Sequence, residues 1–312
     1  MYIFIVYLLL VSYLPPSFSQ SNQTCATPQY PDIWSVPPDL FTPNITNSLP
    51  GAGIRIKQTT PGYENTFMYH TLYLPTNWKN STSTKYPIIA EYTGNGPWSS
   101  PYGDYSCGAP DCSNLGYGLS KGENYIWVSL PFANNNGTQI ERYWWGCVNS
   151  TITPNCTYNV TPTIQYTLST IQYIVDTYHG DSKNVILTGW SRGALATMYV
   201  GLYDDTIASV WAGFAPYSHY DGRSTDQWVP YPYHDPASAI QRLQRLNNRS
   251  VFITEERNGT LDTMEFLNST GLNLSNFQAY STGFCNHDDQ WVLRPSVTRT
   301  LFRQWLSNIT GF

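Results

Sequence analysis

The sequence predicts an α/β fold in which helices cover both faces of a mostly parallel central sheet. Short apolar runs typical of buried strands alternate along the chain with segments whose apolar residues recur at helical spacing. One strand pattern, Val185 to Leu187, leads directly into the sequence GWSRG, and a helix pattern follows from Ala194 to Val200. Neither an internal repeat nor a linker divides the chain, so we expect a single domain over residues 20–312.

The predicted elements follow one another as alternating strands and helices. Ile54 to Lys57 alternates in polarity like an edge strand, whereas Tyr86 to Tyr92 is apolar enough for a buried one. Strands are predicted within residues 54–57, 67–74, 86–92, 125–130, 185–187, 209–214, 251–254 and 277–281. Helices are predicted within 163–178, 194–200, 237–246 and 295–309, and Pro295 is expected in the first turn of the last helix.

Composition argues against some classes of partner. The chain has 312 residues, of which 12% are charged and 15% are aromatic, and its formal net charge is −5. No run of Lys and Arg forms a basic patch. Nucleic acid and anionic membrane surfaces are therefore not expected as partners.

The N-terminus and the sequons predict export. Residues 2–14 are apolar, and two prolines and two small serines follow, which is typical of a signal peptide over residues 1–19. No later stretch is apolar enough to cross a bilayer, so no transmembrane span is expected in the mature chain. Twelve N-x-S/T sequons indicate the glycosylated surface of a secreted protein: Asn22, Asn44, Asn80, Asn136, Asn149, Asn155, Asn159, Asn248, Asn258, Asn268, Asn273 and Asn308.

The six cysteines of an exported chain predict three disulfides. Spacing favours two close pairs and leaves one distant pair, although other pairings stay open. None of the six has the spacing of a metal site, and no cofactor is expected. The preferred pairs are Cys107–Cys112, Cys147–Cys156 and Cys25–Cys285.

The sequence Gly189-Trp190-Ser191-Arg192-Gly193 is the candidate catalytic centre. A G-x-S-x-G between a buried strand and a helix is the pattern of a nucleophile elbow, in which the serine stands on a sharp turn. Glycines flank it because larger side chains would collide with the adjoining strand and helix. The serine hydroxyl would then lie above a helix N-terminus, whose dipole favours an anion. Ser191 is the predicted nucleophile.

A serine nucleophile needs a base, and His287 is predicted because it follows the last strand of the sheet. The orienting acid should follow another strand, between Ser191 and His287. Asp262 is preferred, since it comes a short turn after the strand 251–254 and the two glutamates that end it. Asp221, which follows the preceding strand, is the alternative acid.

Two backbone N–H groups are predicted to bind the oxyanion that forms during acyl transfer. One belongs to Arg192, the residue after the nucleophile. The other belongs to Asn95, in the glycine-rich turn after the strand 86–92. A metal site is disfavoured, because one cluster of possible ligands lacks the spacing of a known zinc motif: His219, Asp221, His234 and Asp235.

The chain order of serine, acid and histidine resembles the α/β-hydrolase family from Tyr69 to the C-terminus. Four motifs are similar to secreted esterases of the polyhydroxybutyrate-depolymerase and feruloyl-esterase type: YLPTNW, YPIIAEYTGNG, GWSRGA and NGTLD…NH. The resemblance implies an α/β-hydrolase fold, a triad of Ser191, Asp262 and His287, and a cap segment over residues 216–246.

A second resemblance keeps the acid open. The Gly-x-Ser-Arg pattern is similar to glucuronoyl esterases, whose acid can follow the earlier strand, and this favours Asp221. The oxyanion turn also departs from the family, which has His-Gly where this chain has Thr93-Gly94.

The expected function is that of a secreted serine hydrolase that cleaves a small or polymer-linked carboxylic ester through an acyl-enzyme. A serine peptidase on the same fold is one alternative, because its first half-reaction is the same chemistry. A non-catalytic recognition protein is another, although it would need neither Ser191 nor His287.

Overall fold

The structure is a computed structural model, and it describes residues 23–143, 159–223 and 235–312. In these ranges nine strands form one sheet and two short strands form a separate hairpin. The strands are β1 (Ile45–Thr46), β2 (Arg55–Gln58), β3 (His70–Tyr73), β4 (Tyr86–Tyr92), β5 (Trp98–Ser99), β6 (Tyr105–Ser106), β7 (Ile126–Leu130), β8 (Gly180–Trp190), β9 (Gly213–Tyr217), β10 (Ser250–Glu255) and β11 (Phe277–Ser281).

The large sheet has the order β1-β2-β3-β7-β4-β8-β9-β10-β11. β3 is antiparallel to both of its neighbours, whereas every pair from β7 to β11 is parallel. Since parallel strands end at the same edge of a sheet, the loops after β4, β8, β9, β10 and β11 meet there.

Helices connect most of these strands. They are α1 (Leu115–Ser120), α2 (Thr161–Tyr178), α3 (Arg192–Tyr199), α4 (Asp205–Ala208), α5 (Pro236–Leu243), α6 (Thr260–Ser269) and α7 (Val297–Thr310). Short 3-10 turns lie at Ile33–Ser35, Pro110–Cys112, Gln244–Leu246 and Asp289–Leu293.

Two apolar cores lie on opposite faces of the sheet. Strand residues alternate between them, so that Val185 and Leu187 belong to one core and Ile186 belongs to the other. α2, α3, α5 and α6 cover the first face, and α1 and α7 cover the second. Burial on both faces explains why the central strands are apolar throughout. The predicted fold class is confirmed.

β4 and β11 span the predicted residues, but β9 begins at Gly213 rather than Ser209. The reason is α4, which occupies 205–208. Its N-cap is Asp204, whose side chain accepts a hydrogen bond from the Ile207 N–H. The chain is still leaving this short helix at the position where the sequence indicated a strand.

The last two helices also differ from expectation. α7 begins after Ser296, whose side chain caps it, so Pro295 precedes the helix instead of lying in its first turn. α6 occupies a segment for which the sequence indicated only a loop. It carries Asp262 in its first turn. Asp262 therefore lies on a helix rather than on the predicted loop.

Two of the three predicted disulfides are confirmed, Cys25–Cys285 and Cys107–Cys112. Among the described helices, none is both long and apolar enough to cross a membrane. Several predicted features lie outside the described residues: the Cys147–Cys156 pair, the signal peptide over 1–19, the sequons at Asn22, Asn149 and Asn155, and residues 224–234 of the expected cap segment.

Candidate active site

Ser191 stands on a strained turn between β8 and α3. Its backbone has φ 57° and ψ −120°, a combination that residues with side chains rarely adopt. The Ser191 N–H donates to the Tyr217 carbonyl oxygen at the end of β9, over 3.0 Å. The turn therefore projects the serine from the carboxyl end of β8, which is the arrangement of a nucleophile elbow.

Close packing explains both glycines of the motif. A Cβ on Gly193 would lie 2.1 Å from the carbonyl oxygen of Tyr92, and a Cβ on Gly189 would lie 2.2 Å from the carbonyl oxygen of Gly193. These obstacles are backbone atoms, so relieving the clash would require main-chain movement. The turn after β4 packs on the elbow too, because a Cβ on Gly94 would lie 2.8 Å from the Trp190 ring.

The imidazole of His287 joins Ser191 to a carboxylate. Its Nε2 lies 2.9 Å from Oγ of Ser191, and its Nδ1 lies 3.0 Å from Oε1 of Glu256. With the proton on Nδ1, Nε2 can accept the proton of the Ser191 hydroxyl, as a general base must. The three side chains come from the loops after β8, β10 and β11.

The carboxylate beside His287 is Glu256, which corrects the expectation of Asp262. Asp262 is exposed in the first turn of α6. The alternative acid, Asp221, is buried against Arg242, whose Nε and Nη2 donate to its two oxygens over 2.7 and 3.0 Å. Burial raises the pKa of Asp221 to about 6, and the charge of Arg242 opposes that rise. Asp221 therefore serves a structural ion pair.

Two adjacent glutamates leave β10 in opposite directions. Glu255, the last residue of the strand, is buried and accepts two hydrogen bonds from Nη1 of Arg223, over 3.0 and 2.9 Å. Glu256 follows it and points toward His287. Side chains alternate between the two sides of an extended chain, so only one of the two can face the histidine.

Helical periodicity was the signal that could have identified Glu256. Thr263, Phe266 and Leu267 are the buried residues of α6, and their spacing is that of one helix face. Asp262 then takes a position in the first turn, where the helix dipole favours a carboxylate. With α6 beginning at Thr260, the candidate acids left at the end of β10 and before the helix are the two glutamates.

Ser218 is a further member of the site that sequence reasoning missed. Its Oγ lies 2.6 Å from Nδ1 of His287 and donates a hydrogen bond to Oε1 of Glu256 over 3.0 Å. Ser218 is buried, follows directly after β9, and has a positive φ of 81°. Its position at a strand end was its only sequence signal, since no motif includes it.

Contacts from distant parts of the chain hold the loop that carries the histidine. Oδ1 of Asn286 accepts from the Ile33 N–H, and Nδ2 of Asn286 donates to Asp104, both over 2.7 Å. The disulfide between Cys285 and Cys25 ties the same loop to the N-terminal arm. These contacts hold the two residues directly before the histidine.

The electrostatics of the site favour a proton on the imidazole. Burial by itself would lower the pKa of His287, but nearby carboxylates, Glu256 first among them, outweigh burial and raise that pKa above its ordinary value. Burial would raise the pKa of Glu256, but the charge of His287 and hydrogen bonds from His287 and Ser218 outweigh it and lower that pKa. The imidazolium that forms when His287 takes a proton is thereby stabilised.

The two predicted oxyanion donors belong to elements that pack together at Gly193. Arg192 is the first residue of α3, where the N–H groups point out of the helix N-terminus. Asn95 is buried in the turn after β4, the strand whose end contacts Gly193. Burial lowers the pKa of the Arg192 side chain to about 9, so it is positively charged at neutral pH. Both donor roles stay predictions.

Aromatic rings surround His287. The centroids of Trp98, Trp190 and His219 lie 5.4, 5.5 and 5.2 Å from its own. Trp98 is 40% exposed, whereas Trp190 is buried. Burial lowers the pKa of His219 well below its ordinary value, and the charge of His287 acts in the same direction. The exposed indole of Trp98 is an apolar surface beside the histidine.

One group of possible metal ligands among the described residues contains a disulfide. Cys25, Asp32 and Cys285 have atoms close enough together to surround an ion. Both sulfurs are joined in a disulfide, however, so they offer no thiolate. In the cluster that sequence spacing disfavoured, Asp221 forms an ion pair and His234 lies outside the described residues.

Comparison with known proteins identifies the fold. No protein-family model and no curated protein sequence matches the chain. Among solved structures, a thermostable esterase aligns with a TM-score of 0.50 and 13% identity, over 82% of this chain and 62% of its own. The fluorophosphonate-binding serine hydrolase F of Staphylococcus aureus aligns with a TM-score of 0.50 and 12% identity, over 84% of this chain and 99% of its own. The chain has the α/β-hydrolase fold.

A peptidase has the same degree of similarity. Dipeptidyl peptidase 4 of Porphyromonas gingivalis aligns with a TM-score of 0.50 and 12% identity, over 83% of this chain and 36% of its own length. The chain thus spans 62% of the esterase and about a third of the peptidase. At such identities the α/β-hydrolase fold is shared by enzymes that cleave different bonds, so the reaction must be argued from the site.

Proposed function

We propose that this chain is a serine hydrolase that cleaves carboxylic esters through an acyl-enzyme. One observation carries the proposal: the hydrogen-bonded triad of Ser191, His287 and Glu256, in which Ser191 occupies a strained turn from strand to helix. The α/β-hydrolase fold supports it, because the carboxyl edge of such a sheet is where ligands bind. The exposed Trp98 beside the histidine suits an ester with an apolar acyl or alcohol group.

In the proposed mechanism, Oγ of Ser191 attacks the carbonyl carbon while its proton passes to Nε2 of His287. Glu256 stabilises the imidazolium through Nδ1. The N–H groups of Arg192 and Asn95 bind the carbonyl oxygen as it becomes negative. The bond to the leaving alcohol then breaks, and Nε2 returns the proton to the alcohol oxygen. Water attacks the acyl-enzyme with the same histidine as base, which releases the acid and restores Ser191.

The proposal includes an extracellular location. Two disulfides form among the described residues, and disulfides persist in oxidising compartments. The twelve sequons and the apolar N-terminal segment of the sequence support the same location.

Labelling with a fluorophosphonate tests the nucleophile. Wild-type protein should be modified at Ser191 and hydrolyse p-nitrophenyl acetate, whereas Ser191→Ala should take up no label and lose about 10⁶ in kcat. Ser83→Ala, at an exposed serine in the turn before β4, is the matched control and should keep both properties. Labelling at another serine, or wild-type turnover by Ser191→Ala, would contradict the proposal.

A substrate panel separates esterase from peptidase. The panel should contain p-nitrophenyl esters of increasing chain length, feruloyl and acetyl sugars, and a peptide p-nitroanilide. Comparison of kcat/KM should favour one of the esters. A higher kcat/KM for the anilide would instead assign the same catalytic triad to peptide hydrolysis.

A further inference from the structure

Ser218 lies where the side chains of His287 and Glu256 meet, and its backbone is held on both sides. The Ser218 N–H donates to the Thr254 carbonyl oxygen of β10 over 2.8 Å. The preceding residue, Tyr217, accepts from the N–H of the nucleophile Ser191 over 3.0 Å. Two strands and the elbow therefore fix the Ser218 hydroxyl relative to the catalytic triad.

The hydrogen bonds around this hydroxyl leave one consistent arrangement of protons. Ser218 donates to Oε1 of Glu256, so its Oγ can offer only a lone pair to Nδ1 of His287, 2.6 Å away. Nδ1 must then carry a proton, which it shares between Ser218 and Glu256. The unprotonated nitrogen is Nε2, the one that faces Ser191.

The carboxylate also depends on this serine. His287 and Ser218 both bind Oε1 of Glu256. In the part of the chain that the structure describes, Oε2 of Glu256 is buried and has no hydrogen-bond partner. Loss of the Ser218 hydroxyl would leave His287 as the side-chain donor that stabilises the negative charge of Glu256.

We propose that Ser218 is a positioning residue, which fixes the reactive tautomer of His287 and moderates the basicity of Glu256. The inference rests on the proposed serine-hydrolase mechanism, because the opposite tautomer would present an N–H to Ser191 and could not take its proton. The positive φ of 81° agrees with such a role. Glycine would relax this backbone conformation, so the serine is unfavourable for the backbone and useful for its hydroxyl.

The test compares Ser218→Ala and Ser218→Gly with the wild type. Alanine removes the hydroxyl, and glycine removes it while suiting the positive φ, so glycine carries the test if alanine does not fold. Both variants should lower kcat about tenfold to a hundredfold on an activated ester and leave KM unchanged. The midpoint of the acid limb of kcat/KM should rise, because a more basic Glu256 holds the His287 proton more tightly.

The outcomes separate this inference from the proposed function. Loss of kcat with an unchanged pH midpoint would indicate a merely structural role and overturn the inference, as would wild-type kcat in either variant. In each of those cases wild-type protein would still be labelled at Ser191, so the serine-hydrolase proposal would stand. Failure of a fluorophosphonate to label the wild type would instead remove the mechanism on which the inference rests.

Discussion

The elbow at Ser191 and the two loops that supply its acid and base are held in different ways. The elbow is a run of five residues, Gly189 to Gly193, with one glycine near the end of β8 and the other in the first turn of α3. The loop of His287 depends on partners far away in sequence, including Ile33 and a disulfide that joins residues 260 positions apart. The turn of the proposed nucleophile is thus specified by one short motif, whereas the positions of its proposed acid and base depend on contacts between distant parts of the chain.

This difference predicts two kinds of failure. A change in the elbow should impair the reaction of Ser191 itself, and with it labelling by a fluorophosphonate. A change in the loops should impair proton transfer while the serine stays on its turn. The variants below test that separation.

The largest effect should come from Glu256→Gln. The substitution keeps the shape of the side chain but removes its charge and favours the wrong tautomer of His287, so kcat should fall by about 10⁴. Steady-state kinetics on one activated ester measures it. Asp262→Asn, at the exposed acid of α6, is the matched control and should leave kcat within about twofold, as expected for a surface change. A large loss at Asp262 with a small one at Glu256 would return the acid to the position that the sequence favoured.

Gly193→Ala should disrupt the elbow itself. The new Cβ would meet the Tyr92 carbonyl oxygen at 2.1 Å, and the main-chain shift that relieves it should lower stability by about 1–3 kcal/mol. Displacement of Ser191 should reduce kcat and the labelling rate about a hundredfold. Gly51→Ala is the control, because its Cβ would approach the flexible Ile54 side chain at 3.3 Å and the backbone no closer than 4.0 Å. Equal labelling rates for the two variants would show that the close packing at Gly193 does not position Ser191.

Removal of the distant disulfide should loosen the histidine loop. Cys25→Ala/Cys285→Ala should lower the free energy of unfolding by about 3–5 kcal/mol, measured by denaturant titration, since the bond closes a very long loop. kcat should fall about tenfold because His287 is then held less tightly.

The short disulfide provides the comparison for that experiment. Cys107→Ala/Cys112→Ala opens a loop with a sequence separation of 5, so the loss of stability should be about 2 kcal/mol. Similar losses in the two double variants, or wild-type kcat without the Cys25–Cys285 bond, would show that the distant disulfide does not control the loop.

The smallest effect is a shift in pH dependence. Because the pKa of His287 is raised above 6.5 in the folded protein, kcat/KM should decline below a midpoint that lies above 6.5. Protonation of His287 stabilises the folded protein, because the pKa of this group is higher in the folded than in the unfolded chain. This contribution to stability is fully present below the unfolded pKa and is lost as pH rises through the folded pKa. Glu256→Gln should lower the midpoint, since burial then acts on His287 with less opposition. An unchanged midpoint in this variant would mean that Glu256 does not set the pKa of His287.

Features that depend on neighbouring residues could be predicted from the sequence. Apolar runs predicted the alternating strands and helices, and β4 and β11 formed over the predicted residues. The elbow motif predicted a strand, a sharp turn and a helix. Gly189 avoids a clash four residues away, at Gly193, whereas Gly193 avoids one with Tyr92 of β4. The two confirmed disulfides were predicted from the spacing and number of the cysteines in a chain expected to be exported.

The groups that contact His287 could not be identified before the fold was known. Glu256, Asp262 and Asp221 all follow strands, and the sequence offers no distance between any of them and the imidazole. Asp262 is exposed because it lies in the first turn of α6. Asp221 forms an ion pair with Arg242, and the alternation of side chains at the end of β10 directs Glu256 toward the histidine. Ser218 contacts His287 and Glu256 because β9 lies beside β8 and β10 in the sheet. Such contacts exist only after distant strands have paired, so a pattern read along the chain cannot contain them.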